Sequence, residues 1–146
     1  MSQPIPSPVL GFTGERFTPE CVREIAYEHW HRYAFAIALT GGKHVLDAAC
    51  GEGFGADLLA SKAASVQAID IDAASIEHAK QRYGSKKNLS FHQADATQLD
   101  ALPSNSFDVI VSFETLEHVM EHDRMLAGFH RLLKQDGVLL ISTPDK

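Results

Sequence analysis

The sequence predicts an α/β fold, a doubly wound parallel sheet covered by helices on both faces. Three observations carry this reading. Strand-like apolar runs alternate with helical periodicity, the first run enters a helix through a glycine-rich turn, and the composition is globular. With 146 residues, 45% hydrophobic and 22% charged, the chain has the apolar content for one core and lies far from the composition of disordered proteins.

Taken in order, residues 1–13 read as a loose arm, because Met1 to Pro8 holds three prolines among small and polar residues. Residues 14–146 read as one domain. Val22, Ile25, Ala26, Trp30, Tyr33, Ala34 and Ile37 recur at helical steps and predict a helix over 19–39, ended by Gly41-Gly42. His44 to Ala48 reads as a buried strand, Phe54 to Lys62 as a helix, Ser65 to Asp70 as a strand, and Ala73 to Tyr83 as a helix closed by Gly84. Leu89 to Gln93 and Phe107 to Phe113 are further strands. Met125, Leu126, Phe129, Leu132 and Leu133 form a helical stripe ending at Asp136-Gly137, and Val138 to Ser142 is a last strand.

The net charge of −6, with no basic run, argues against a nucleic-acid partner. Cys21 and Cys50 are too few for a disulfide framework and no signal peptide is recognisable, which points to a reducing cytoplasm. No apolar run approaches the roughly 20 residues of a membrane-spanning helix.

In a sheet of this kind ligands bind beyond the carboxyl ends of the strands. Val45-Leu46-Asp47-Ala48-Ala49-Cys50-Gly51-Glu52-Gly53-Phe54-Gly55 is such an end, and its glycines admit positive φ and close approach of a ligand. Two cofactor classes compete for it. Gly51-x-Gly53-x-x-Ala56 can be laid on the dinucleotide fingerprint, but Asp47, Glu52 and Asp57 stand between Val45 and Ala60 with no Lys or Arg, a poor setting for a pyrophosphate. S-adenosylmethionine carries a sulfonium and an ammonium and no phosphate, so the same carboxylates attract it. A branched side chain at Gly53 is expected to occupy the cofactor's place. Asp70 ends the second strand 23 residues after Asp47, near the roughly 20-residue offset of a ribose-binding carboxylate, whereas Asp72 reads as a helix N-cap.

The turn resembles motif I of the class I S-adenosylmethionine-dependent methyltransferases: Asp47, Gly51 and Gly53 match, and Ala49 replaces the first glycine, a change read here as one added methyl. Phe107-Asp108-Val109-Ile110-Val111-Ser112-Phe113 resembles motif IV. The resemblance implies a Rossmann-like sheet in the order 3-2-1-4-5, S-adenosylmethionine as cofactor, and a cofactor site at Asp47, Ala49, Gly51, Glu52, Gly53, Asp70, Ile71, Asp95, Ala96 and Phe113. Within it Asp95 would accept from the adenine amine and the following N–H would serve a ring nitrogen; Asp95 also reads as the cap of the turn before Thr97.

Glu114-Thr115-Leu116-Glu117-His118 follows, where the transferable methyl is expected. His118 is a candidate base for an acceptor hydroxyl, or a residue that packs on the next helix and touches only the cofactor. Glu114, Glu117 and His118 also match the Glu-x-x-Glu-His spacing of metal-assisted methyltransferases. Gly14 to Phe17 and Glu28 to Tyr33 are similar to the leader of small-molecule or saccharide methyltransferases, with Arg32 or Tyr33 placed to reach the cofactor carboxylate. The resemblance further implies two strands after the fifth, so the chain reads as incomplete at that end, with Val138 to Ser142 an apolar edge open to self-association. The expected function is methyl transfer to a small molecule or saccharide. Its rivals are a noncatalytic cofactor-binding fragment and a dinucleotide-dependent oxidoreductase.

Overall fold

In the computed structural model residues 23–143 are described. The expected arm at 1–13, the similarity at Gly14 to Phe17, and the first residues of the predicted helix lie outside them.

The elements are α1 (Arg23–Thr40), β1 (His44–Ala48), α2 (Phe54–Ala60), β2 (Ser65–Asp70), α3 (Ala73–Tyr83), β3 (Leu89–Gln93), β4 (Phe107–Phe113), α4 (His122–Leu132) and β5 (Leu133–Ser142). All strand pairs are parallel, and the order is β3-β2-β1-β4-β5, as the resemblance implies. Alternation along the strands divides the interior into two cores. Val45, Val66, Ala68, Val109 and Val111 face α1, α2 and α3, where Leu59, Ile76 and Ala79 complete the packing. Leu46, Ala48, Ile69 and Ile110 face α4, through Met125, Phe129 and Leu132. Asp47 shares the parity of Val45, so its side chain belongs to the first core.

Three elements differ from the sequence reading. α1 buries Tyr33, Ala36 and Thr40, while Trp30 is half exposed, because the bulky Tyr33 ring rather than the whole apolar stripe decides how the helix rolls against α2. α2 stops at Ala60, two residues before Lys62, with Ser61 as its C-cap. β5 starts at Leu133, not Val138. Phe107 pairs with Leu133 and Val109 already pairs with Val138, so the expected Asp136-Gly137 turn sits inside the strand as a bulge. Gly137 is needed there, since a Cβ would stand 2.9 Å from both the Lys134 carbonyl oxygen and the Leu133 side chain.

Candidate functional site

The turn after β1 is strapped to β2: the N–H groups of Ala49 and Cys50 both donate to the Ile69 carbonyl, at 2.9 and 2.8 Å. Its backbone then takes positive φ at alternate residues, +71° at Ala49, +57° at Gly51 and +93° at Gly53. Ala49 is therefore more than a glycine with an extra methyl. It holds a left-handed conformation that costs an L-residue about 1–2 kcal/mol.

The two glycines point opposite ways. A Cβ on Gly51 would meet nothing within 4 Å, on the open side of the turn. A Cβ on Gly53 would lie 2.9 Å from Ala79 Cβ and 2.9 Å from Phe91 Cε1, inside the first core. The expectation that a side chain at Gly53 fills the cofactor's place is thereby corrected: that direction leads into α3 and β3. Glu52 turns the same way. It is buried, with Oε2 3.7 Å from Nδ1 of the buried His78 on α3.

Above the carboxyl ends of the strands lies a cavity of about 440 Å³, within the usual range for small-molecule sites. Ala49, Gly51, Asp70, Ile71, Asp95, Ala96, Phe113, Glu114 and His118 line it; Asp47, Glu52, Gly53 and Glu117 do not. Asp72, Ala94, Thr97, Gln98, Thr115, Val119, Met120 and Glu121, which the sequence reading did not place in the site, complete the wall. They come from loops whose path no periodicity signals. Among the described residues five carboxylates and no Lys or Arg stand on this wall, so it suits a cation and opposes a pyrophosphate.

Asp70 ties the wall together. Its Oδ2 accepts from the Gly51 N–H at 2.9 Å and its Oδ1 from the Asp72 N–H at 2.9 Å. Each oxygen keeps a further lone pair, so a pair of vicinal hydroxyls fits it. Asp72 is the N-cap expected for α3: its Oδ2 accepts from the N–H and the hydroxyl of Ser75 at 3.2 and 2.6 Å. Asp95 Oδ1 accepts from the N–H and the hydroxyl of Thr97, at 2.8 and 2.7 Å, and the residue still lines the cavity.

At the other end, Glu114 has φ +58° and its Oε1 lies 2.7 Å from Arg32 Nη2. Burial raises its carboxyl above the usual range; Arg32 opposes this, and Glu117 adds to it. Arg32 is thus engaged by Glu114 and, at 4.0 Å, by Glu28. His118, in the turn Leu116–His118, has Nε2 3.5 Å from Glu117 Oε1. Among the described residues no three His, Cys, Asp or Glu side chains are grouped to hold a metal ion. Tyr33 faces inward: its hydroxyl donates to Asp47, 3.1 Å from Oδ2 and 3.4 Å from Oδ1, and its ring meets Phe113 edge to face at 5.0 Å. Asp47 is fully buried, and desolvation drives its carboxyl up to about 7; the Tyr33 bond works against this and the Asp70 charge reinforces it.

Among the described residues no helix is long and apolar enough to cross a membrane.

Residues 46–141 match a family described as a methyltransferase domain. Over 140 residues, 94% of this chain and 50% of the relative, the sequence is 36% identical to a Mycobacterium tuberculosis protein named a probable S-adenosylmethionine-dependent methyltransferase. The chain spans about half the length of the curated relatives it matches. Among solved structures it resembles the [4+2]-cyclase SpnF, with a TM-score of 0.71 and 27% identity over 82% of this chain and 45% of the other. It also resembles an N-methyltransferase of Haemonchus contortus in complex with phosphomonomethylethanolamine and S-adenosylhomocysteine, with a TM-score of 0.70 and 25% identity over 76% of this chain and 27% of that one. With the sheet order, the glycine turn and the matched domain in agreement, the chain belongs to the class I S-adenosylmethionine-dependent methyltransferase family.

Proposed function

We propose that this chain forms the cofactor half of a methyltransferase whose acceptor is a small molecule or a saccharide. The observation that carries the reading is the wall itself, where Gly51 and Asp70, bonded to each other, stand beside a cavity lined, among the described residues, by five carboxylates and no Lys or Arg. When bound, S-adenosylmethionine supplies an electrophilic methyl on its sulfonium. On this reading Asp70 accepts from the ribose hydroxyls, the Asp95-Ala96 segment meets the adenine edge, and exposed Ile71, which lines the same cavity, covers it. Gly51 leaves room for the amino-acid portion, because it carries no Cβ on the open side of the turn. Phe113 forms the floor and is held from behind by Tyr33. His118, on the rim, is the group we assign to orient an acceptor hydroxyl and take its proton. Most of the rate enhancement would come from aligning donor and acceptor.

The acidic chain and the anionic wall favour a neutral or cationic small acceptor over a nucleic acid. Calorimetric titration with S-adenosylhomocysteine and with NAD tests the cofactor: binding of the first and not the second is expected, and the reverse would overturn the reading. A labelled-methyl assay against a panel of hydroxylated metabolites and saccharides tests the acceptor. Loss of turnover in His118→Ala with cofactor affinity intact is the expected result for a proton acceptor.

A further inference from the structure

The cofactor and its product differ by one charge. Methyl transfer turns the sulfonium of S-adenosylmethionine into the neutral thioether of S-adenosylhomocysteine, so a fixed charge near the sulfur separates the two affinities. On the reading above, that sulfur joins a ribose at Asp70 to an amino-acid portion at Gly51 and turns its methyl toward His118. It thereby comes to the Phe113–Glu114 side of the cavity.

Glu114 is held on that side from several directions. Its backbone takes a left-handed φ of +58°, its N–H donates to the Ser142 carbonyl at 3.0 Å, and its Oε1 lies 2.7 Å from Arg32 Nη2. A non-glycine residue keeps such a conformation only where its surroundings fix it. Arg32 belongs to α1, ahead of the matched domain that begins at residue 46, and it does not line the cavity. It is a cation set behind an anionic wall. A second wall carboxylate, Glu121, also meets an arginine, its Oε2 3.7 Å from Arg124 Nη1. The two pairs differ in exposure. The Glu121 and Arg124 side chains are 56% and 55% exposed, so water and salt screen them. Those of Glu114 and Arg32 are 18% and 27% exposed, and their field reaches the cavity through less solvent. We propose that Arg32 is a positioning residue that fixes Glu114 and offsets its charge, so that α1 sets how strongly the cavity prefers the cationic cofactor to its neutral product. The assignment of Arg32 rests on the cofactor reading above. Without Arg32 the wall holds the sulfonium more tightly relative to the thioether. Without Glu114 a bare cation stands behind the sulfur, and the preference moves the other way.

The test is calorimetric titration of the full chain with S-adenosylmethionine and with S-adenosylhomocysteine, read as the ratio of the two dissociation constants. A purely structural loss weakens both ligands alike and leaves that ratio in place. Arg32→Gln should raise the preference for the cofactor roughly three- to tenfold, the scale of one unit charge acting across a partly solvated cavity. Glu114→Gln should lower it by a similar factor. The double variant, which removes a pair of no net charge, should return to within about twofold of the wild type. Arg124→Gln, at the exposed pair, should leave the ratio unchanged. A wild-type ratio in either folded variant, Arg32→Gln or Glu114→Gln, overturns the proposal, and Glu114→Gln decides the matter if Arg32→Gln does not fold. An equal shift in Arg124→Gln also overturns it, because the effect would then belong to the net charge of the chain. Failure of both ligands to bind the wild type overturns the cofactor reading itself.

Discussion

Gly53 and Gly51 lie two residues apart in one turn, and the structure assigns them opposite consequences. In Gly53→Ala the new methyl would sit 2.9 Å from Ala79 Cβ, which cannot rotate away, and 2.9 Å from the Phe91 ring edge, at a φ of +93°. Left-handed strain costs about 1–2 kcal/mol and overpacking about 1–3, while the stiffer unfolded chain returns less than about 1. A net loss of about 3 kcal/mol follows, a large fraction of the roughly 5–15 kcal/mol that holds a domain folded. For a chain of this size that is a drop of about 10 °C in Tm. In Gly51→Ala the φ of +57° leaves only the strain, and the methyl enters the open side of the turn. This variant should melt within about 5 °C of the wild type while losing affinity for S-adenosylhomocysteine. Thermal unfolding followed by circular dichroism, with calorimetry on the folded fraction, reads both quantities. A Gly53→Ala chain as stable as wild type but unable to bind would overturn this assignment, because it would place the Gly53 methyl in the cavity rather than the core.

Other outcomes follow from the same geometry. Asp70→Ala should weaken S-adenosylhomocysteine binding by about 1.5–3 kcal/mol, and by leaving the Gly51 and Asp72 N–H groups without their acceptor it should also lower stability by about 1–3 kcal/mol; unchanged urea unfolding would mean that the turn does not depend on it. Asp47 has a folded-state value raised from 3.8 to about 7, so the stability it contributes is complete below pH 4 and is lost as pH rises through 7. Asp47→Asn, which does not titrate, should therefore gain on the wild type by up to about 4 kcal/mol between pH 4 and pH 8, at about 1.4 kcal/mol per pH unit; a constant difference in unfolding free energy across that range would exclude a buried, titrating Asp47. β5 is one of the two edge strands among the described residues, with Val138 45% exposed, whereas Leu140 packs against the first core. We expect light scattering to show concentration-dependent association that Val138→Lys suppresses, and a wild-type monomer at high concentration would exclude edge pairing.

The alternation of apolar strands and amphipathic helices was readable from residue order because it reflects periods of two and 3.6 that local geometry imposes. β1 to β4 and α3 accordingly occupy the predicted spans, and the acids closing β1 and β2 announce a site at the strand ends. The parallel order needed the family resemblance, since each strand's partners come from distant segments. Directions were hidden as well. That Gly51 faces the cavity and Gly53 the core depends on φ values and on where Ala79 and Phe91 arrive from α3 and β3. That Arg32 and Tyr33 meet Glu114 and Asp47 depends on how α1 rolls over Gly55. The alternating elements, the glycine turn and the cationic character of what the turn can hold were already legible in residue order, because these rest on local periodicity and on charge. Which of the acids line the cavity and which are buried behind it emerged on folding, because burial is set by packing between residues far apart in the chain.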